Sequence, residues 1–283
     1  MSVAALLVTA VGDLAAAGVA SPRFDAEALL AHVLDVSPTR ARGVRTLTAE
    51  QQAAFASLVR RRVAREPLQY LVGSVGFRHV EIAVGPGVFI PRPETEVLAG
   101  WAIDQLAAAR HLGPATPVAV DLCTGSGAVA AAVADEAPYA RVYAVELSPD
   151  AVEYAARNLS GTGVDLRQGN ISEALGELDG CVDVVVANPP YIPVTAYESV
   201  DIEARTHDPA LALWSGADGL DMIRTVERVG HRLLRAGGMV GCEHADVQGQ
   251  SAPAIFSSSG RWDDVRDHRD LAGRPRFATA RRV

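Results

Sequence analysis

Apolar residues at the start of the chain recur at helical spacing. Val3, Leu6, Leu7, Val11 and Leu14 share one stripe of an amphipathic helix. Pro22 to Leu34 repeats the pattern, with Leu29, Leu30, Val33 and Leu34 on one face. Thr48 precedes "AEQQAAFASLVRRRVARE" and reads as an N-cap, because its oxygen can accept from a free N–H of the first helical turn. Residues 1–73 are therefore expected to form a small helical bundle. A strand-like alternation follows in "GFRHVEIAVGPGVFIP" around Gly85, Pro86 and Gly87, which predicts a β-hairpin linker over 74–92.

From Val118 the period changes. The runs "VAVDL", "RVYAVEL", "VDLRQGN", "VDVVVANP" and "GGMVGCEH" alternate with helical stretches. That order predicts an α/β domain over 93–283, a parallel sheet with helices on both faces. The final "VRDHRDLAGRPRFATARRV" reads as two strands around Leu271 to Pro275, so the sheet is expected to close with a hairpin.

Composition narrows the function classes. A formal net charge of −8 over 283 residues disfavours a protein that grips nucleic acid through a basic surface. All 26 basic residues are Arg, a pattern that fits GC-rich codon usage rather than mechanism. Arg60, Arg61, Arg62 and Arg65 cluster locally and are expected to form a solvated helix face, a contact to RNA or an acidic partner being the competing reading. The three cysteines, Cys123, Cys181 and Cys242, are widely spaced, which predicts reduced thiols and no metal site. No basic residue precedes Arg23, so the first helix lacks the charged start of a signal peptide, and no segment reads as a membrane span. These readings predict a cytoplasmic protein, monomeric by default.

The chemistry concentrates at the ends of the predicted strands. "DLCTGSGAVAAAV" turns from the first strand of the sheet into an Ala-rich helix, and its glycines let backbone approach a ligand. The next strand ends in Glu146, where a carboxylate can accept from both ribose hydroxyls of a nucleoside; a plain surface acid is the competing reading. Asn170 ends the third strand, placed either to read an adenine edge or simply to make a turn. The fourth strand ends in Asn188-Pro189-Pro190-Tyr191. Two successive prolines stiffen that turn and leave the Pro189 carbonyl without a ladder to enter. With the Asn188 side-chain oxygen it offers two acceptors to one planar NH2 group, on which Tyr191 can stack. Such a nitrogen is a poor nucleophile because its lone pair is delocalised. Two acceptors can orient it and favour proton loss as it attacks a sulfonium methyl.

"DLCTGSG", Glu146 and "NPPY" resemble a class I S-adenosylmethionine-dependent methyltransferase acting on a planar NH2. "RFDAEALLAHVL", "PLQYLVGSVGF", "GVFIPRPETE" and "GADGLDMIR" extend the resemblance over nearly the whole chain, to the bacterial release factor glutamine methyltransferases, the PrmC/HemK family. The resemblance implies a Rossmann-like seven-stranded sheet and a helical N-terminal domain that recognises substrate. It implies S-adenosyl-L-methionine as cofactor and S-adenosyl-L-homocysteine as product. The implied substrate is the Gln of the Gly-Gly-Gln loop in class 1 peptide chain release factors, methylated on N5, with no DNA or membrane partner.

By position, Cys123, Thr124, Gly125, Ser126 and Gly127 would carry the methionine side of the cofactor, Glu146 the ribose, and Asn170 and Ile171 the adenine surroundings. Asn188, Pro189, Pro190 and Tyr191 would hold the substrate amide, Asn188 also facing the cofactor. Pro91, Arg92 and Pro93 would line the substrate cleft, with Arg92 alternatively a pin for Glu94 or Glu96. The chain departs from the family pattern at Cys123 (usually Gly), Glu146 (usually Asp) and Asp208 (usually Glu). Two other functions fit parts of the pattern: an adenine-N6 DNA methyltransferase, which would want a basic DNA-reading surface, and a protein that binds the cofactor without catalysis. On the fifth strand, Cys242, Glu243 and His244 are read as structural, because consecutive strand residues point to opposite faces.

Overall fold

The computed structural model describes residues 2–112 and 115–283, and these fall into two compact units. The first runs to Ser74 and also holds Asp201–His207. It comprises α1 (Val3–Ala16), α2 (Pro22–Leu34), α3 (Pro38–Ala41), α4 (Ala49–Val63) and α5 (Leu68–Val72). Leu14, Ala26, Leu29, Leu30, Phe55 and Val59 meet in its core. Thr48 caps α4 as its sequence predicts: its oxygen accepts from the Gln51 N–H, and the Gln51 side chain accepts from the Thr48 N–H.

The arginine cluster departs from expectation. Arg61 turns to Glu66, but Arg62 is only 5% exposed, its Nε 2.7 Å from Asp25 Oδ2 and its Nη2 2.9 Å from Glu203 Oε1. Arg65 joins the same Glu203 carboxylate at 2.6 Å. Burial works against the Arg62 charge, and the two carboxylates more than offset it. What reads as a solvated face is therefore in part a buried ion-pair cluster.

A hairpin follows, β1 (Ser74–Phe77) and β2 (Val80–Ala83), which from Val75 on belongs to the second unit. Its turn lies at Arg78 and His79 rather than at Gly85 to Gly87. Arg78 takes φ +50°, as tight hairpin turns require, and its guanidinium is fixed by Glu136. The chain continues through α6 (Thr95–His111), β3 (Val118–Leu122), α7 (Ala128–Glu136), β4 (Arg141–Glu146), α8 (Pro149–Asn158), β5 (Asp165–Gln168) and β6 (Val182–Ala187). After α9 (Ile202–His207), which belongs to the helical unit, come α10 (Ala210–Leu213), α11 (Asp221–Leu233), β7 (Leu234–Glu243), α12 (Ser251–Ser258), β8 (Trp262–Arg269) and β9 (Pro275–Arg282).

The sheet order is β5-β4-β3-β6-β7-β9-β8. The first five strands in that order are parallel, and β9 is antiparallel to both β7 and β8. Val120, Leu122, Val145, Val185 and Ala187 are wholly buried, as expected for strands covered on both faces. α11 presents Ile223, Val226, Val229 and Leu233 to this core at helical spacing. Strand order reverses between β3 and β6, and a crevice opens there at the carboxyl ends of the strands. Among the described residues no helix is long and apolar enough to cross a membrane, and no group of His, Cys, Asp and Glu could hold a metal ion.

Candidate active site

The glycine turn leaves β3 through three left-handed positions: Cys123 (φ +59°), Gly125 (φ +58°) and Gly127 (φ +83°). Cys123 therefore adopts the conformation that a Gly would take without strain. Burial pushes its thiol pKa up, so it stays a neutral wall of the cleft. Asp121 lies beneath the turn, accepting from Thr124 Oγ1 at 2.5 Å and from the Ala130 N–H at 3.1 Å. Burial raises its carboxyl to about 7.

Glu146 is 8% exposed and bent onto this loop. One of its oxygens accepts from the Gly125 N–H at 2.8 Å, the other from the Leu147 and Ser148 N–H groups at 2.9 and 2.8 Å. A carboxylate has about four acceptor positions, so one remains for a hydroxyl in the cleft. Asn170 also lines the cleft, with its Oδ1 tied to the Ser172 N–H at 2.9 Å in a local turn. Its amide NH2 is the group left to meet a base. Ile171, 4% exposed, forms an apolar wall beside it.

β6 ends at Ala187, and Asn188 to Tyr191 line the same cleft of about 280 Å³. Asn188 Nδ2 donates to Thr95 Oγ1 at 3.2 Å, which leaves Oδ1 as the acceptor. The Tyr191 carbonyl is held by Gln248 Nε2 at 3.0 Å, and the Tyr191 hydroxyl donates to Glu243 Oε1 at 3.3 Å. Burial, and then the Glu243 charge, push the Tyr191 hydroxyl pKa well up, so it acts as a neutral donor. Beyond the turn, Ile192 pairs with the chain at Leu213 and Ser215, bringing Leu213 and Trp214 into the cleft wall. Pro91 lines the cleft. Arg92 instead reaches Asp208 Oδ2 at 2.7 Å and lies over the Phe89 ring, so its carboxylate partner is neither Glu94 nor Glu96. Pro93 is not among the lining residues.

Two further side chains stand behind the turn: Thr95, which the sequence does not single out, and Glu243, which it reads as structural. Thr95 is inside the quoted "IPRPETE", a pattern that carries the family likeness without stating what the hydroxyl touches. Glu243 is 1% exposed, and burial raises its carboxyl to about 7 despite the nearby Thr95 hydroxyl and Arg276 guanidinium, which favour its charge. Strand alternation does separate its neighbours. Cys242 packs into the core, while His244 turns to Asp267 at 2.9 Å.

The cleft suits S-adenosylmethionine. Where a Cβ would stand on Gly125 there is open space, so the loop backbone faces the cavity bare. Glu146 offers its remaining acceptor, and the apolar wall accommodates a base.

Residues 5–73 match the PrmC N-terminal domain family, and residues 119–204 a methyltransferase domain family. The chain is 55% identical over 270 residues to a release factor glutamine methyltransferase of Streptomyces coelicolor, covering 95% of this chain and 94% of that one. It is 42% identical over 263 residues to a 4-amino-L-phenylalanine/4-methylamino-L-phenylalanine methyltransferase of Streptomyces pristinaespiralis, covering 92% and 89%. Among solved structures, the hMettl16 catalytic domain in complex with the MAT2A 3′UTR hairpin 6 shares the fold at 13% identity, with a TM-score of 0.51 over 71% of this chain and 75% of that one. The fold is that of a class I methyltransferase with an N-terminal helical domain.

Proposed function

Because the chain belongs to the family of release factor glutamine methyltransferases, we propose that it methylates the side-chain nitrogen N5 of the Gln in the Gly-Gly-Gln motif of class 1 release factors. The methyl donor is S-adenosyl-L-methionine and the product S-adenosyl-L-homocysteine. The observation that carries this reading is the Asn188-Pro189-Pro190-Tyr191 turn, which shares one cleft with the glycine loop and Glu146.

The roles follow from the groups each residue exposes. Cys123 to Gly127 offer backbone to the methionine portion, Glu146 an acceptor to the ribose, and Asn170 and Ile171 the adenine surroundings. Bound there, the cofactor supplies an electrophilic methyl group. Asn188 Oδ1 and the Pro189 carbonyl accept the two hydrogens of the substrate NH2, holding the nitrogen in line for attack. As the nitrogen forms its new bond its hydrogens become more acidic, and the two acceptors stabilise that developing charge more than the ground state. Tyr191 packs against the planar amide. The chain needs no charged base in contact with the nitrogen for this orientation; the proton that the nitrogen sheds on methylation passes to solvent. Acting on translation factors, the protein would work in the cytoplasm.

A second reading is favoured by the Streptomyces pristinaespiralis relative: the same acceptors suit a planar arylamine. The deciding experiment offers radiolabelled S-adenosylmethionine together with a class 1 release factor, its Gln→Ala loop variant, 4-amino-L-phenylalanine and an unmethylated DNA duplex. Label on the native factor alone is expected. Label on the free amino acid or on DNA instead would replace the substrate assignment. Asn188→Ala should bind cofactor and transfer nothing; turnover at the wild-type rate would remove Asn188 from the mechanism.

A further inference from the structure

An Asn amide presents nearly the same shape in either of its two flipped orientations. Only one puts an acceptor against the substrate NH2; the other puts two donors against two donors. Something must hold Asn188 the right way round. Its Nδ2 donates to Thr95 Oγ1 at 3.2 Å, and Thr95 is 3% exposed, so water does not compete freely for that oxygen. A hydroxyl can itself donate or accept, and a Thr95 proton turned toward Asn188 would favour the flipped amide. The Glu243 carboxylate lies next to this hydroxyl and also takes the Tyr191 hydroxyl proton at 3.3 Å. Glu243 Oε2 is buried and, among the described residues, has no hydrogen-bond partner, so an acceptor is left over beside this hydroxyl.

We propose that Glu243 and Thr95 are positioning residues that set the orientation of Asn188: the carboxylate draws the Thr95 hydroxyl proton, Thr95 Oγ1 is left to accept from Asn188 Nδ2, and Asn188 Oδ1 faces the reacting nitrogen. The same carboxylate holds the Tyr191 hydroxyl, so one buried charge orders both ends of the tetrapeptide. This rests on the reading of Asn188 as the residue that orients the substrate amide.

The device works only while Glu243 is ionised. Neutral, it can give its own proton to Thr95 and no longer dictates which way that hydroxyl points. Around it stand Arg276 of β9, itself paired with Asp270, Tyr191 of the tetrapeptide turn, Glu94 before α6, and Cys242 of its own strand. Arg276 favours the charge, while burial and Glu94 oppose it, which leaves the carboxyl titrating near 7.

The test has two readouts. In 15N-labelled protein without substrate, the Asn188 side-chain amide resonances should shift with a midpoint near pH 7, and stay flat across that range in Glu243→Gln and Thr95→Val. In single-turnover methyl transfer to the release factor, Thr95→Val should lower the rate at least tenfold with the cofactor Kd unchanged. Thr95→Ser should recover at least a third of the wild-type rate, and Glu243→Gln should lose the acid limb of the pH profile. Resonances that ignore pH in the wild type, or Thr95→Val at the wild-type rate, overturn the proposal. A wild-type protein that leaves the release factor unlabelled refutes the substrate reading instead, while the resonance titration still decides the role of Glu243.

Discussion

Gly219 is the point where a single methyl group would strike the Asn188–Tyr191 turn. It takes φ +76°, and a Cβ built there would overlap the Tyr191 carbonyl oxygen while standing 2.8 Å from Gln248 Nε2 and 2.9 Å from Pro193 Cδ. Two of these neighbours are backbone or ring atoms held in place, and the third is the amide that fixes the Tyr191 carbonyl at 3.0 Å. For Gly219→Ala the left-handed backbone costs about 1–2 kcal/mol. Loss of the Gln248 bond costs about 1 kcal/mol more. Restoring ordinary contact needs the Tyr191 carbonyl to retreat by about 1 Å, a misplacement that lowers transfer rates roughly 100-fold. Gly216→Ala is the control. It carries a similar φ of +72°, but the three atoms nearest its Cβ all belong to the movable carboxylate of Asp221, so it should lose stability without losing rate. The assay is single-turnover methyl transfer at saturating cofactor and release factor, with urea unfolding of each variant alongside. Gly219→Ala within twofold of wild type, or both variants slowed equally, would show that the tetrapeptide does not depend on this contact.

Asp121 ionises at about 7 in the folded protein against 3.8 for the free side chain. Between those values the folded state keeps a proton that the unfolded state has released, so stability falls as pH rises through the window, by at most about 4 kcal/mol. Asp121→Asn should therefore match wild type near pH 4 and exceed it at pH 8 in urea unfolding; parallel pH curves would refute this. Arg62→Ala should cost roughly 3–5 kcal/mol in the helical unit, since Asp25 would be left buried without its partner. Denaturation that reports less than about 1 kcal/mol would mean Asp25 is not held by that pair. Cys123→Val places a β-branched residue at φ +59° and should lower Tm and weaken cofactor binding by calorimetry, whereas Cys123→Gly should preserve the affinity.

The local features legible in the sequence share one property: each is set by its own few neighbours along the chain. Helical stripes, the Thr48 cap, the glycine turn and the stiff Asn188-Pro189-Pro190 exit are products of local sterics and period, so they are visible before any packing is known. The acid at the tip of the second parallel strand, Glu146, is placed by the same regularity, because βαβ units repeat the same strand-end geometry. The hairpin turn lies away from its expected place for a related reason. Gly85 to Gly87 have a turn's composition, while the observed turn holds Arg78 at φ +50° with its guanidinium bonded to Glu136, far along the chain.

Sequence by itself therefore determined the order of the parallel strands and the strand-end turns that line the cleft, the glycine turn and Asn188 to Tyr191, since each follows from short-range backbone geometry. Tertiary structure alone decided which groups stand behind them. Thr95 opens α6, and Glu243 closes β7, whose register against β6 sets Ala187 opposite Cys242. That register brings Glu243 to the tetrapeptide. Desolvation then governs the charge of its carboxyl, just as pairing with Asp25 and Glu203 governs the burial of Arg62. Both depend on atoms that only folding brings together.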